Sequence, residues 1–101
     1  MSTIFYEVAV TIPDPAIAAR WVAWMNGGHI ADVVAAGAKS GRIITLDDNP
    51  GQYLAQYEFE SRESMQRYFS QHAPRLREEG LRLFAPPDVI YARRTGEILP
   101  P

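Results

Sequence analysis

A chain of 101 residues, 47% hydrophobic and 22% charged, has the size and balance of one globular domain. Its formal net charge of −2 leaves no basic footprint for nucleic acid, and no apolar run approaches the ~20 residues of a membrane-spanning helix. The absence of cysteine excludes disulfides, thiolate nucleophiles and cysteine metal sites, and folding needs no oxidising compartment. The opening run MSTIFYEVAV lacks a basic flank and a long apolar core. It is expected to be a strand and not a signal peptide, as in a cytoplasmic bacterial protein.

From Thr3 to Ile12, Ile4, Tyr6, Val8, Val10 and Ile12 alternate with Phe5, Glu7, Ala9 and Thr11, the period of a strand. Pro13 ends it, Asp14 is suited to cap a helix, and Pro15 suits the first helical position. Ile17, Trp21, Trp24 and Met25 keep helical spacing. Gly27 and Gly28 each weaken a helix by about 1 kcal/mol relative to alanine, so a kink or break is expected there. Helical spacing resumes at Ile30, Val33 and Val34, and Gly37 supplies the C-terminal stop.

Arg42 to Leu46 reads as a short strand, Asp47 to Gly51 as a turn, and Tyr53 to Glu60 as the returning strand of a hairpin. Ser61 is placed to cap a second helix, with Glu63 in its first turn and Met65, Tyr68, Phe69 and His72 on one stripe. Pro74 opens a further short helix carrying Leu76, Gly80 and Leu83, on which Glu78 and Arg82 form an i, i+4 pair. Pro86 and Pro87 stop helical structure. Val89 to Thr95 is the last strand, and Gly96 to Pro101 is expected as a tail whose Ile98 and Leu99 suggest docking. The order is that of a single α+β domain over 1–101 of the ferredoxin-like βαββαβ type. Its sheet would be four-stranded, antiparallel and in the order 4-1-3-2, with helices on one face and right-handed crossovers.

The opposite sheet face is then left to water, a ligand or another subunit. Phe5, Glu7 and Ala9 share one side of the first strand, and Leu54, Gln56, Glu58 and Glu60 one side of the third. Arg42, Thr45, Tyr91, Arg93 and Arg94 are further polar or amphipathic strand positions, and Phe5, Leu54 and Tyr91 invite burial of that face. Two such sheets packed face to face would form an isologous dimer.

Of the two histidines, His29 is the candidate catalytic residue. Asp32 lies nearby to orient it as a general base, and a break in the helix before it opens room for a ligand. It is also a possible haem ligand, or simply a helix-end residue beside Trp21 or Trp24. His72 reads as a helix-terminal histidine. The histidines carry no metal-ligand spacing, so no metal is expected, and nothing calls for a cofactor. Arg75, Arg77, Arg82, Arg93 and Arg94, diluted by Glu78 and Glu79, read as a solvated helix face.

Two segments carry a resemblance. WVAWMNGGHIADVVAAG, Trp21 to Gly37, resembles the W-x-x-W-M-x-x-x-H-I-x-x-V-x-x-x-G segment of the bacterial domain-of-unknown-function family 4286. HAPRLREEGLRLF, His72 to Phe84, is similar to its H-A-P-x-L-R-x-x-G-L-x-x-F segment, and QYEFESRESMQRYF falls where the family has a comparable strand. The likeness spans roughly Ile4 to Arg93 and rests on Trp21, Trp24, Met25, His29, Ile30, Gly37, His72, Pro74, Leu76, Arg77 and Gly80. It implies a ferredoxin-like domain similar to the dimeric α+β barrel group, and it brings no assigned activity.

Together these readings lead to a homodimer, paired through its sheet face, that binds a small molecule between sheet and helices without demonstrable chemistry. The expected ligand-binding residues are Trp21, Trp24, Met25, Glu7, Gln56, Glu58 and Tyr91. One alternative is a cofactor-independent monooxygenase or isomerase-like enzyme, or a haem-binding variant, using His29. The other is a protein-partner module that uses the sheet face or the free edge of the second strand.

Overall fold

The computed structural model describes residues 3–101; Met1 and Ser2, at the head of the predicted first strand, lie outside the described residues. The elements in chain order are β1 (Thr3–Thr11), α1 (Pro15–Trp24), a π-helical turn (Met25–His29), α2 (Ile30–Ala35), β2 (Ser40–Thr45), β3 (Gln52–Phe59), α3 (Arg62–Gln71), α4 (Ala73–Leu83) and β4 (Ile90–Ile98). The sheet order is β2-β3-β1-β4, every pairing antiparallel, which is the expected 4-1-3-2 read from the other edge. The fold is therefore the ferredoxin-like βαββαβ domain.

Local chemistry accounts for the element ends. Asp14 accepts a hydrogen bond from the Ala16 amide at 2.8 Å, and Pro15 opens α1. Ser61 and Ser64 form a reciprocal capping box at the start of α3, each serving the other's backbone amide. Glu78 and Arg82 pair at 3.0 Å along α4.

The kink expected at the double glycine is present, with Gly28 outside helical geometry. The Ile30 amide donates to the Met25 carbonyl, five residues back, so the chain widens into one π turn and then continues as α2. Gly28 takes φ 157°, ψ −28°, a backbone that residues with a side chain rarely adopt. Such one-turn bulges are uncommon and recur at functional sites.

The last strand extends to Ile98, so Gly96, Glu97 and Ile98 belong to the sheet and not to the expected tail. Gly96 is fitted to this place, because a Cβ there would overlap the Phe5 ring lying across it.

Strand register separates two chemically different faces. Directly opposed residues of antiparallel strands share a face. Ile4, Tyr6 and Val10 of β1 sit opposite Phe59, Tyr57 and Tyr53 of β3, and all of these face the helices. With Ala18, Trp21, Met25, Val33, Met65, Tyr68 and Leu76 from the helices they make the buried core. The other face carries Phe5, Glu7 and Ala9 with Leu54, Gln56 and Glu58, as expected. Three positions depart from the expectation. Tyr91 is paired with Val10, Arg93 with Val8 and Thr45 with Tyr53, so all three face the helices, while Ala92 and Arg94 face outward.

Candidate functional site

A cleft lies between the sheet and the helices, where the core is interrupted. Its floor is made of small side chains at the centre of the sheet, Val8 and the directly opposed Ala55. Across from them, Gly80 of α4 presents no side chain, and the rim of the Trp24 indole approaches within 3.4 Å of where a Cβ would stand. Small residues facing small residues leave a gap that close packing would otherwise fill. The free space is about 50 Å³. Aromatic rings surround it: Tyr6, Tyr57 and Tyr91 from the sheet, and Trp21, Trp24 and Tyr68 from the helices. Tyr6 stacks on Tyr57 at 5.9 Å and meets Phe69 edge-on at 5.0 Å.

The π turn places His29. A π turn brings residues five apart onto one side of the helix, and the His29 ring stacks on Trp24 with 4.2 Å between centroids and 25° between planes. Burial holds the imidazole below its ordinary pKa, against the opposing pull of the Asp32 and Glu79 carboxylates. Its Nδ1 is buried and has no hydrogen-bond partner. Because most buried polar atoms are paired, such an atom asks for a reason.

Arg77 lines the same cleft and carries the second such atom, its Nε. Its Nη2 donates to the Tyr6 hydroxyl at 3.3 Å, and its guanidinium sits 5.6 Å from the Phe69 ring centroid. Arg93 stands over Tyr91, and the Tyr91 hydroxyl donates to the Phe84 carbonyl at 2.7 Å. Burial raises the pKa values of Tyr57, Tyr68 and Tyr91, that of Tyr68 to about 12 even though Arg77, Arg93 and Arg75 draw it down.

The expected ligand-binding set is divided by the sheet. Trp21, Trp24, Met25, Tyr91 and the candidate base His29 all line the cleft. Glu7, Gln56 and Glu58 sit on the far face, where side-chain alternation directs them, so the seven residues do not form one site.

Those three belong to a polar cluster of their own. Glu7 is only 2% exposed and accepts from Gln56 Nε2 at 2.9 Å and from Arg94 Nε. Arg42 Nη2 donates to Gln56 Oε1 at 3.1 Å, and Ser40 Oγ donates to Glu58 Oε2 at 3.1 Å.

Sequence reasoning missed Arg77, Tyr6, Tyr57, Tyr68 and Gly80 as cleft residues. The available signal was spacing: Ala73, Leu76, Arg77 and Gly80 fall at i, i+3, i+4 and i+7, the inward stripe of α4. His72 joins α3 to α4 without a side-chain cap bond and is not in the cleft. Among the described residues, no group of three or more histidines and carboxylates is arranged to hold a metal ion, and no helix is long and apolar enough to cross a membrane.

The family described as "Domain of unknown function (DUF4286)" matches residues 3–96. Comparison with curated proteins found no match. Among solved structures, the chain is similar to a dimeric ferredoxin-like protein from an uncultured marine organism, with 7% identity and a TM-score of 0.75 over 100% of this chain and 99% of that one. It is also similar to a monooxygenase from the gene ActVA-Orf6 of Streptomyces coelicolor, solved with nanaomycin D (17% identity, TM-score 0.70, 99% and 88% covered). A third is a variant of SnoaB, a cofactor-independent oxygenase from Streptomyces nogalater (14% identity, TM-score 0.66, 99% and 94% covered). At these identities the likeness shows the fold.

Proposed function

This chain belongs to the DUF4286 family, and from that premise we propose that it is a homodimeric protein that binds a small, flat, largely apolar molecule between its sheet and helices. The observation carrying this reading is the cleft itself. An aromatic ring surrounds a floor of Val8 and Ala55, and two polar side chains present there keep buried atoms that no protein group satisfies. Ligand sites are characteristically concave and apolar with a few placed polar groups. The free space of about 50 Å³ compares with about 10–15 Å³ for one water. One edge of a ring system fits inside, and the remainder lies at the mouth beside the exposed Leu81 and Arg93.

The dimer uses the outer sheet face. Phe5, Ile44 and Leu54 are half-buried apolar residues there, and Ile90 and Ile98 of β4 are exposed on the same side. A domain of this size gains stability by covering such surface. The solved neighbour described as dimeric supports a homodimer.

The chain's two tryptophans, Trp21 and Trp24, both line the cleft, so intrinsic fluorescence reports its occupancy. Titration with 1,4-naphthoquinone and 1-naphthol is expected to give saturable quenching that weakens in Trp24→Leu. Quenching that stays linear for both probes overturns the binding reading. Sedimentation velocity is expected to show a dimer that Leu54→Arg dissociates; a monomer at all concentrations refutes the pairing.

A second reading is favoured by one specific observation, the half-buried His29, whose pKa burial lowers and whose buried Nδ1 has no partner. Such a nitrogen is suited to take a proton from an acidic O–H or C–H of the ligand. This reading makes the protein a cofactor-independent oxygenase or isomerase-like enzyme, and the oxygenase neighbours support it. It expects oxygen uptake with 1,8-dihydroxynaphthalene-type substrates that disappears in His29→Ala. Uptake unchanged in that variant would remove His29 from the chemistry.

A further inference from the structure

We infer that the cleft selects an anion: an aromatic or conjugated molecule bearing an ionised oxygen, whether carboxylate, phenolate or enolate, with the charge received by Arg77. This rests on the reading that the cleft binds a small flat molecule, and names its charge class.

The chain carries more acid than base, with 12 Asp and Glu against 10 Lys and Arg. The cleft reverses that balance, since its ionisable lining includes Arg77, Arg93 and His29 and no carboxylate. Four arginines of the chain, Arg42, Arg62, Arg82 and Arg94, are within ion-pair distance of a glutamate. Arg77 and Arg93 pair with no carboxylate among the described residues. Arg93 is exposed, and water satisfies it. Arg77 is different: it is half-buried, its Nε is shut off from solvent, and its one hydrogen bond goes to the Tyr6 hydroxyl.

Drawing a guanidinium out of water without a counter-charge is costly, and an arriving anion removes that cost. The planar fork of guanidinium donors also matches the in-plane lone pairs of a carboxylate or an aromatic oxyanion. The ring of such a ligand would lie among Tyr6, Tyr57 and Trp24. The same field disfavours a cation.

The test uses three probes of one shape, measured by calorimetry on the intact protein: 2-naphthoate, 2-naphthamide and 2-naphthylmethylammonium. Naphthoate is expected to bind at least tenfold tighter than the amide, and the ammonium not measurably. Arg77→Met is expected to remove the preference for naphthoate over the amide, while the exposed Arg75→Met retains it. If Arg77→Met does not fold, the three-probe comparison on the unaltered protein decides. Equal binding of naphthoate and naphthamide, or a preference that survives Arg77→Met, overturns the charge assignment and leaves the cleft-binding reading standing. No binding by any of the three probes overturns that reading, and the assignment with it.

Discussion

The two faces of the sheet are built from alternate residues of the same strands, yet they handle polar groups in opposite ways. On the outer face, Glu7 is as buried as many core residues, and its carboxylate is met by Gln56 and Arg94, with Arg42 and Ser40 extending the cluster. On the helix face, the aromatic rings leave His29 Nδ1 and Arg77 Nε buried with nothing to bond. A satisfied cluster fixes side chains in place, whereas buried unpaired atoms on residues that line a cleft ask for a partner the protein does not supply. The contrast fits structural work by the outer cluster and is the basis for proposing the inner cleft as the binding site.

The contrast is sharpened first by packing. Phe59 is fully buried on the helix face, and Phe59→Ala is expected to cost about 3–5 kcal/mol by denaturant unfolding. Phe5, half-buried on the outer face, should cost the single subunit less when cut to alanine, about 1–2 kcal/mol. Equal losses would mean that the two faces are not distinct in packing.

The next effect belongs to the outer cluster. Arg94→Ala removes a charge-assisted bond to buried Glu7 and is expected to destabilise by about 1–2 kcal/mol, at the low end of such bonds because Arg94 itself is 71% exposed. Glu7→Leu, which removes the buried charge together with its need, should be close to neutral or stabilising. The reverse order would place the function of Glu7 outside stability.

A smaller effect of opposite sign is expected at Gly80. Gly80→Ala should raise stability by about 0.5–1 kcal/mol, because glycine within a helix is unfavourable and the added methyl meets only ordinary contact with Trp24. The same methyl fills the cleft, so naphthoate affinity should fall as the melting temperature rises. A gain in both would show that the gap between Gly80 and Ala55 is not where the ligand sits.

The smallest effect is read from pH. His29 titrates below its ordinary value in the fold, mainly through burial. The unfolded chain therefore takes up a proton near pH 6.5 that the folded chain still refuses. Stability is highest above pH 6.5 and declines as pH falls from there through the folded-state value. His29→Gln should flatten that part of a stability profile; an unchanged slope would show that other groups produce it.

Much of this architecture was legible because the deciding interactions are local. Asp14 before Pro15, Ser61, and the Glu78–Arg82 spacing act within one helical turn, and the alternation of Ile4, Tyr6, Val8 and Val10 needs only the pleat. The misreadings occur where a distant partner decides. Tyr91 begins a polar run, YARRTGE, with no apolar alternation to set its phase, and its pairing with Val10 alone turns it toward the helices. Gly27 and Gly28 made the kink legible by propensity, but not the π-type hydrogen bond that spans it or the stack of His29 on Trp24. Arg77 has the composition of a solvated helix face, but its inward partners are distant or on another helix: the hydroxyl of Tyr6, 71 residues away in the chain, and the ring of Phe69. Five of the eight candidate site residues share the cleft, because helix and strand periodicity point each one but cannot say which surfaces meet.

The π turn has a consequence beyond the histidine it carries. One surplus residue shifts the phase of everything after it by about 100°, the angular step of an α-helix. Before the turn, Trp21 and Met25 address the cleft. After it, Val33 enters the core, and Ile30 seats against Gly41 of β2, where a Cβ would strike both Ile30 and Tyr57. Deleting either Gly27 or Gly28 would therefore do more than unstack a ring: it would swing α2 out of step with the outermost strand. The cleft and the seating of the sheet's far edge are thus geared to the same two glycines.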